Sequence, residues 1–268
     1  MSSSAPEPAP GRSDRRRAAL AVGLLALLAT GLANLAWLDG LRGLPEGARL
    51  SGLHTLNAGD TPTYYAWIDQ ARRGHLRFRQ LYTTEPHERA LVNPLFLAVG
   101  GLAAATGLSN AAAYHLARVL LGIALVPLLY AFLCACLPDR PRRLGALAIL
   151  LFAGGVGWIW AAAGAPPADW PIDLWVPEAS VFLSLVESPL NLASYGLWAL
   201  LSLAALRGLG GGGVGALAGA AVAAALLVAI RPYAAAPAAA LALLGCGLAV
   251  ARSGVPLARA ARVAGALG

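Results

Sequence analysis

Six stretches of 19 to 25 consecutive uncharged residues, each closed at both ends by Arg, Asp or Glu, dominate this 268-residue chain. They lie between Arg17 and Asp39, Arg118 and Asp139, Arg143 and Asp169, Glu187 and Arg207, Arg207 and Arg231, and Arg231 and Arg252. A hydrocarbon layer of about 30 Å takes about 20 apolar residues as helix, and a helix pairs its own backbone groups there. The pattern predicts an all-α, polytopic transmembrane bundle of about six spans, near 18–38, 111–136, 144–163, 189–206, 213–230 and 233–251. Charged residues make up 12% of the chain, against about 25% in soluble domains. A cytosolic globular domain is excluded on that count.

A further uncharged run, Ala90 to Ala117, is ambiguous. Its apolar part, Leu95–Thr106, starts after Asn93-Pro94 and closes at Gly107, as a helix with Pro in its first turn and Gly at its C-terminal cap. That segment is too short to cross and reads as a juxtamembrane helix lying flat. Lying flat, it places the tail, the Arg140/Arg142/Arg143 turn, Arg207 and the Arg252/Arg259/Arg262 end on one side, with eleven of the 20 arginines. The positive-inside rule makes that side cytoplasmic. Ten of the 13 carboxylates then fall in two outer loops, 39–110 and 164–188. The expected layout is completed by a disordered cytoplasmic tail over 1–17 and by 253–268, a cytoplasmic turn with the start of a possible further span. The expected location is the cell inner membrane.

The net charge of +7 arises from Arg alone, and the arginines are spread over helix ends, which argues against nucleic-acid binding. Cys134, Cys136 and Cys246 all lie in spans, so no disulfide framework is implied. The apolar run after Arg15-Arg16-Arg17 exceeds the roughly 7–15 residues of a secretory signal core and reads as an uncleaved anchor.

The first outer loop contains Asp60-Thr-Pro, a helix start with Asp60 as N-cap. Tyr64, Trp67, Ile68 and Ala71 share one side of the following helix, as expected for a helix in the headgroup layer. Asp60 serves either as a cap alone or as a carboxylate held at the membrane face. Glu85-Pro-His87-Glu88 forms a second acidic cluster, and paired carboxylates, or a carboxylate with His, suit general-base or metal-assisted transfer. The second loop carries Trp158, Trp160, Trp170 and Trp175, an aromatic belt, followed by Asp173, Glu178 and Glu187. Arg118, after Tyr114-His115, and Arg231, before Pro232-Tyr233, sit near the outer ends of their spans. Each either snorkels to the interface or offers its guanidinium fork to a lipid phosphate.

This layout resembles the GT-C class of integral membrane glycosyltransferases, which includes protein O-mannosyltransferases and the aminoarabinose–lipid A transferase. The matching parts are Ala18–Leu38, GDTPTYYAWIDQARRGH, NPLFLAVGGLAAATGLSN, YHLARVLLGIALVPLLYAFL and PDRPRR, within roughly 18 to 200. The resemblance implies a polyprenyl-phosphate-linked sugar as donor, membrane lipid as surroundings and inversion at the anomeric carbon. It implies Asp60 as the first-loop catalytic carboxylate, and Glu178, or else Asp173, at the second acidic position. Glu85 is a further catalytic candidate, and His87, His115, Arg118, Arg231 and Asp173 are candidates for holding substrate. Gly-Asp-Thr stands where an Asp pair is usual, which leaves a divalent metal possible and no other cofactor implied. Members of the class are longer, so the chain reads as a fragment. Two other readings compete: a lipid-linked-intermediate transporter or flippase, which needs charge inside the spans, and a non-catalytic scaffold, whose outer carboxylates would scatter.

Overall fold

The computed structural model describes residues 11–48 and 59–267. Among the described residues there are eleven α-helices and four short 3-10 turns, and the extended pairing is an isolated Phe78–Leu91 bridge. The long helices are α1 (Arg12–Arg42), α4 (Asn110–Cys136), α8 (Pro189–Leu209), α9 (Val214–Ile230) and α10 (Ala235–Ser253). Shorter ones are α2 (Thr61–Arg72), α3 (Pro94–Thr106), α5 (Arg140–Phe152), α6 (Trp158–Ala162), α7 (Val181–Glu187) and α11 (Leu257–Leu267). Leu20, Leu24, Leu27 and Leu35 on α1 are 55 to 68% exposed. A ladder of exposed leucines on a helix whose Ala26, Ala29 and Ala33 are buried is a lipid-facing surface.

Four of these segments are long and apolar enough to cross a membrane: Arg12–Leu35, Asn110–Cys136, Pro189–Leu209 and Pro232–Ser253. At 17 residues α9 stands at the short end of what can span. The expected span over 144–163 is interrupted. Its helix α5 ends at Phe152 after 13 residues, and Ala153 turns to extended backbone ahead of Gly154-Gly155. Two adjacent glycines remove the side-chain packing that would keep a helix going. Residues 12–17, expected in a disordered tail, already belong to α1, while residues 1–10 lie outside the described residues. Val263, in α11, is fully buried against Gly208, where a Cβ would stand 2.9 Å from its Cγ2.

α1 and α4 run antiparallel. Asn34 meets Arg118 near one end of the bundle, and Asp14 and Arg15 share a groove with Asp139 and Arg140 at the other. α8 runs alongside α4 in the same direction: Glu187, just before α8, accepts from the Tyr114 hydroxyl, and Gly196 packs against Leu128. The Arg15, Arg140 and Arg207 helix ends therefore share one end of the bundle, and residues 59–110 cap the opposite end.

α3 does not cross the bundle. At 13 residues it is about 20 Å long. Asn93 caps its first turn through Leu95 and Phe96 N–H, and Gly107, at φ 74°, ends it in the left-handed conformation that glycine adopts without strain. The Asn93 amide also donates to the Ile230 carbonyl at 3.1 Å, and Asn110, just beyond Gly107, donates to the Tyr65 carbonyl at 3.5 Å. Both ends of α3 thus stay at the same end of the bundle.

Candidate active site

α2 and α3 build the floor of this end by close approach. A Cβ at Gly100 would lie 2.3 Å from Ala71 Cβ and 2.8 Å from the Ile68 carbonyl oxygen. The face of α2 carrying Tyr64, Trp67, Ile68 and Ala71 therefore packs against protein, not against headgroups as expected. Ile68 is fully buried, Tyr64 stacks on Phe96 (4.8 Å between centroids, 17° between planes), and Trp67 stacks on Phe78 at 5.9 Å. Covering these rings from water and lipid fixes the position of the first turn of α2. Gln70 locks the following loop by accepting from Arg79 N–H and from the Arg89 guanidinium and donating to the Arg79 carbonyl.

Asp60 precedes that first turn. Its backbone is already helical (φ −86°, ψ −32°), and its side chain makes no capping hydrogen bond, whereas a capping residue takes extended backbone and accepts from the next turn. The Asp60 side chain is exposed. At the same end of the bundle, the 3-10 turn Pro177–Ala179 presents Glu178, and the end of α9 presents Arg231. Arg231 Nη2 donates to Glu178 Oε1 at 2.5 Å, with the guanidinium side chain 7% exposed and the carboxylate side chain 46%. Arg231 Nε donates to the Tyr233 hydroxyl, and the Tyr195 hydroxyl donates to the Glu178 carbonyl at 3.2 Å.

Tyr64 reports what shares this space. Burial raises its hydroxyl well above the usual tyrosine range, Asp60, Tyr233 and Glu178 raise it further, and Arg231 lowers it. Charges act on a partly buried hydroxyl in this way because solvent screens them incompletely there. Glu178, Arg231 and Tyr233 are joined by direct contacts, and together with Asp60 they act electrostatically on the Tyr64 hydroxyl, so the site draws on α2, the 177–179 turn and the α9–α10 junction. Two acids, one guanidinium and two phenols at this end of the bundle can accept a proton and hold an anion.

The other expected residues are placed elsewhere. Arg118 is 2% exposed and fully engaged: it donates to the Leu185 carbonyl, to Asn34 Oδ1 at 2.5 Å and to His115 Nδ1 at 3.4 Å. It ties α1, α4 and α7 together from inside the protein, where a lipid phosphate has no access. His115 is part of the same tie, with its ring 4.1 Å from that of Trp37. Asp173 is held by the glycine turn that breaks the 144–163 segment. It accepts from Gly157 N–H at 2.8 Å, and a Cβ at Gly155 would fall 1.9 Å from its Oδ2. Glu85 and His87 belong to a loop folded on itself. His87 Nε2 accepts from Gln80 N–H at 3.0 Å, and Glu85 is exposed in a depression walled by residues 79–88 alone.

Sequence reasoning did not single out Tyr64, Tyr195 or Asn93 as site residues. Tyr64 carried the helical spacing of a lipid-facing ring, and only the partner helix α3 reveals its packing. Tyr195 and Asn93 act through backbone carbonyls, which leave no signature in composition. Among the described residues no group of three His, Cys, Asp or Glu converges, so the side chains here do not assemble a metal-binding set. No known protein family, curated protein or solved structure matches the chain.

Proposed function

We propose that this chain is a membrane glycosyltransferase that moves a sugar from a polyprenyl-phosphate donor to an acceptor hydroxyl. It works at the membrane face opposite the arginine-rich helix ends. By the positive-inside rule that face is extracytoplasmic and the amino terminus is cytoplasmic, and the membrane we assign is a cell inner membrane. The observation that carries the reading is the Arg231–Glu178 pair, which with Asp60 acts on the Tyr64 hydroxyl. A transporter needs charge deep among the spans, and the deep charge of Arg118 is tied to Leu185, Asn34 and His115.

The chemistry assigned to each group follows from its surroundings. Asp60, exposed and not capping its helix, accepts the proton of the acceptor hydroxyl as that oxygen bonds the anomeric carbon. The bond from the anomeric carbon to the phosphate oxygen breaks, and the electron pair leaves with the polyprenyl phosphate. Arg231 meets the charge on the departing phosphate, for which a guanidinium fork is suited. Glu178 neutralises Arg231 before the donor arrives. Its half-exposed side chain then swings clear when phosphate takes its place. Tyr64, kept protonated by burial, and Tyr233 offer hydroxyls to the phosphate or the sugar.

The test uses membranes from cells expressing the chain and a panel of polyprenyl-phosphate sugars with a hydroxyl-rich acceptor extract. Asp60→Asn should lower transfer by about 10²–10⁴-fold, the usual worth of a positioned base. Arg231→Gln should raise the donor concentration needed for half-maximal rate. Membrane insertion should be unchanged in both. Unaltered transfer in Asp60→Asn ends the assignment of the base, and unaltered donor dependence in Arg231→Gln ends that of the phosphate site.

A further inference from the structure

At the end of the bundle away from Arg231, α1, α4 and the start of α5 enclose a groove of 1340 Å³. That exceeds the roughly 300–1,000 Å³ of small-molecule pockets. Its walls are apolar and small: Ala18, Val22, Gly23 and Ala26 on one side, Ile123 and Pro127 on the other. A Cβ at Gly23 would meet nothing within 4 Å, so the space is open where the glycine leaves it. Leu27 and Ile123 on the rim are 65% and 40% exposed, which turns the groove toward lipid. From Arg15 to Leu27 the α1 wall is about 18 Å long, close to the roughly 15 Å of one leaflet's hydrocarbon.

The mouth is charged. Arg15, Arg140 and Arg143 line it together with Asp14 and Asp139. Asp139 is already committed: it accepts from Arg142 N–H at 2.9 Å and pairs with the Arg142 guanidinium at 3.2 Å. Arg143 is pinned at the mouth by donation to the Leu137 and Pro138 carbonyls at 2.9 and 2.7 Å. The mouth therefore keeps a positive excess above an apolar slot one leaflet deep. We infer that this groove is a binding site for an anionic phospholipid of the leaflet at the arginine-rich end, with one acyl chain along Val22–Leu27 and the phosphate between Arg15 and Arg140. A neutral lipid satisfies the slot and not the mouth. A transmembrane helix would fill the slot through apolar contact alone, whereas a phospholipid brings an acyl chain and an anionic phosphate together at the spacing of slot and mouth. The proposal stands whether or not the opposite end transfers sugar.

The full chain, purified in detergent with a fluorescence or light-scattering readout of its folded state, is exchanged into micelles containing equal phosphatidylglycerol and phosphatidylcholine. Native mass spectrometry then counts bound lipid. The expected result is a preference for phosphatidylglycerol of about tenfold or more, declining with salt. Arg15→Gln and Arg140→Gln should each reduce that preference by about fivefold, the worth of one basic residue at an anionic surface, while leaving bound phosphatidylcholine unchanged. Gly23→Leu places a side chain in the open slot and should remove the tightly held lipid of both kinds. Equal binding of the two lipids by the unaltered chain overturns the proposal. So does undiminished phosphatidylglycerol in Gly23→Leu, or an unchanged lipid ratio in both arginine variants, neither of which removes a core contact.

Discussion

Arg231 reaches across 53 positions of sequence to hold Glu178 at 2.5 Å, and the two side chains differ in exposure, 7% against 46%. The buried member fixes the geometry and the open member can leave. A fully desolvated pair would gain little over apolar packing and would resist exchange, whereas a pair open on its acidic side can trade a carboxylate for another anion. Arg231→Lys retains the charge and loses the planar fork that engages two oxygens at once. We expect transfer to fall by about 10²–10³-fold in Arg231→Ala, comparable to losing one preorganised donor at a developing anion, and to an intermediate level in Arg231→Lys. Initial rates over a range of polyprenyl-phosphate sugar check this. A lysine variant as slow as the alanine variant would assign the role to the fork alone, and unimpaired rates in both would separate Arg231 from the chemistry.

The floor of the site depends on Gly100. Any larger residue there drives α2 away from α3, because the nearest atoms are the Ala71 Cβ at 2.3 Å and the Ile68 backbone oxygen at 2.8 Å. Backbone cannot step aside as a flexible side chain can. Gly100→Ala should cost about 1–3 kcal/mol, the usual penalty of overpacking, and should displace Tyr64 and with it Asp60. Gly101, its neighbour, has nothing within 4 Å of a Cβ, so Gly101→Ala serves as the control and should be neutral or slightly stabilising. Thermal unfolding in detergent separates the two. A Gly100→Ala protein as stable as Gly101→Ala would mean that the helices are free to part.

How much of this was legible beforehand depends on which interactions are local. The ends of α3 were readable from Asn93-Pro94 and Gly107, because caps act within one turn. The antiparallel arrangement of α1 and α4 followed from alternating charge at helix ends. The division of 144–163 was visible only as Gly154-Gly155, which composition treats as part of an apolar run; the turn that follows is held by Asp173, seated on Gly157 N–H from 16 residues away. Arg118 shows the same limit. An arginine near a span end looks alike in sequence whether it faces phosphate or, as here, the Leu185 carbonyl and Asn34 of other helices. Glu178 and Arg231 were each nameable, and their pairing was not, since a contact spanning 53 residues is set by packing of the whole bundle.

Arg118 should behave as a structural tie. Replacing it with Leu leaves the Leu185 carbonyl and Asn34 Oδ1 without their donors, in surroundings where the arginine is 2% exposed. Loss of a hydrogen bond to a charged group costs about 1.5–3 kcal/mol. Arg118→Leu should lower the unfolding temperature in detergent, while any protein that remains folded keeps an unaltered donor dependence for transfer. A raised donor requirement at unchanged stability would return Arg118 to the phosphate site.

The alkaline limb of stability is set in part by α2. Burial pushes the Tyr65 hydroxyl from its ordinary value of 10.0 up to about 12, against the opposing pull of Arg118, and burial likewise raises Tyr64. The unfolded chain releases these protons near pH 10.0 while the folded chain keeps them, so between pH 10.0 and about 12 the folded state binds more protons. Stability falls wherever the unfolded state holds fewer protons than the folded one as pH rises. Below pH 10.0 both states hold the proton and the tyrosines contribute no slope. Tyr65→Phe has no proton to lose, so its unfolding temperature should fall less than that of the unaltered chain across this window and should run parallel to it at neutral pH. The Tyr64→Phe, Tyr65→Phe double variant should flatten the limb further. Parallel curves for all three proteins up to pH 12 would mean that these hydroxyls reach water in the folded state, and that the aromatic floor beneath Asp60 is open.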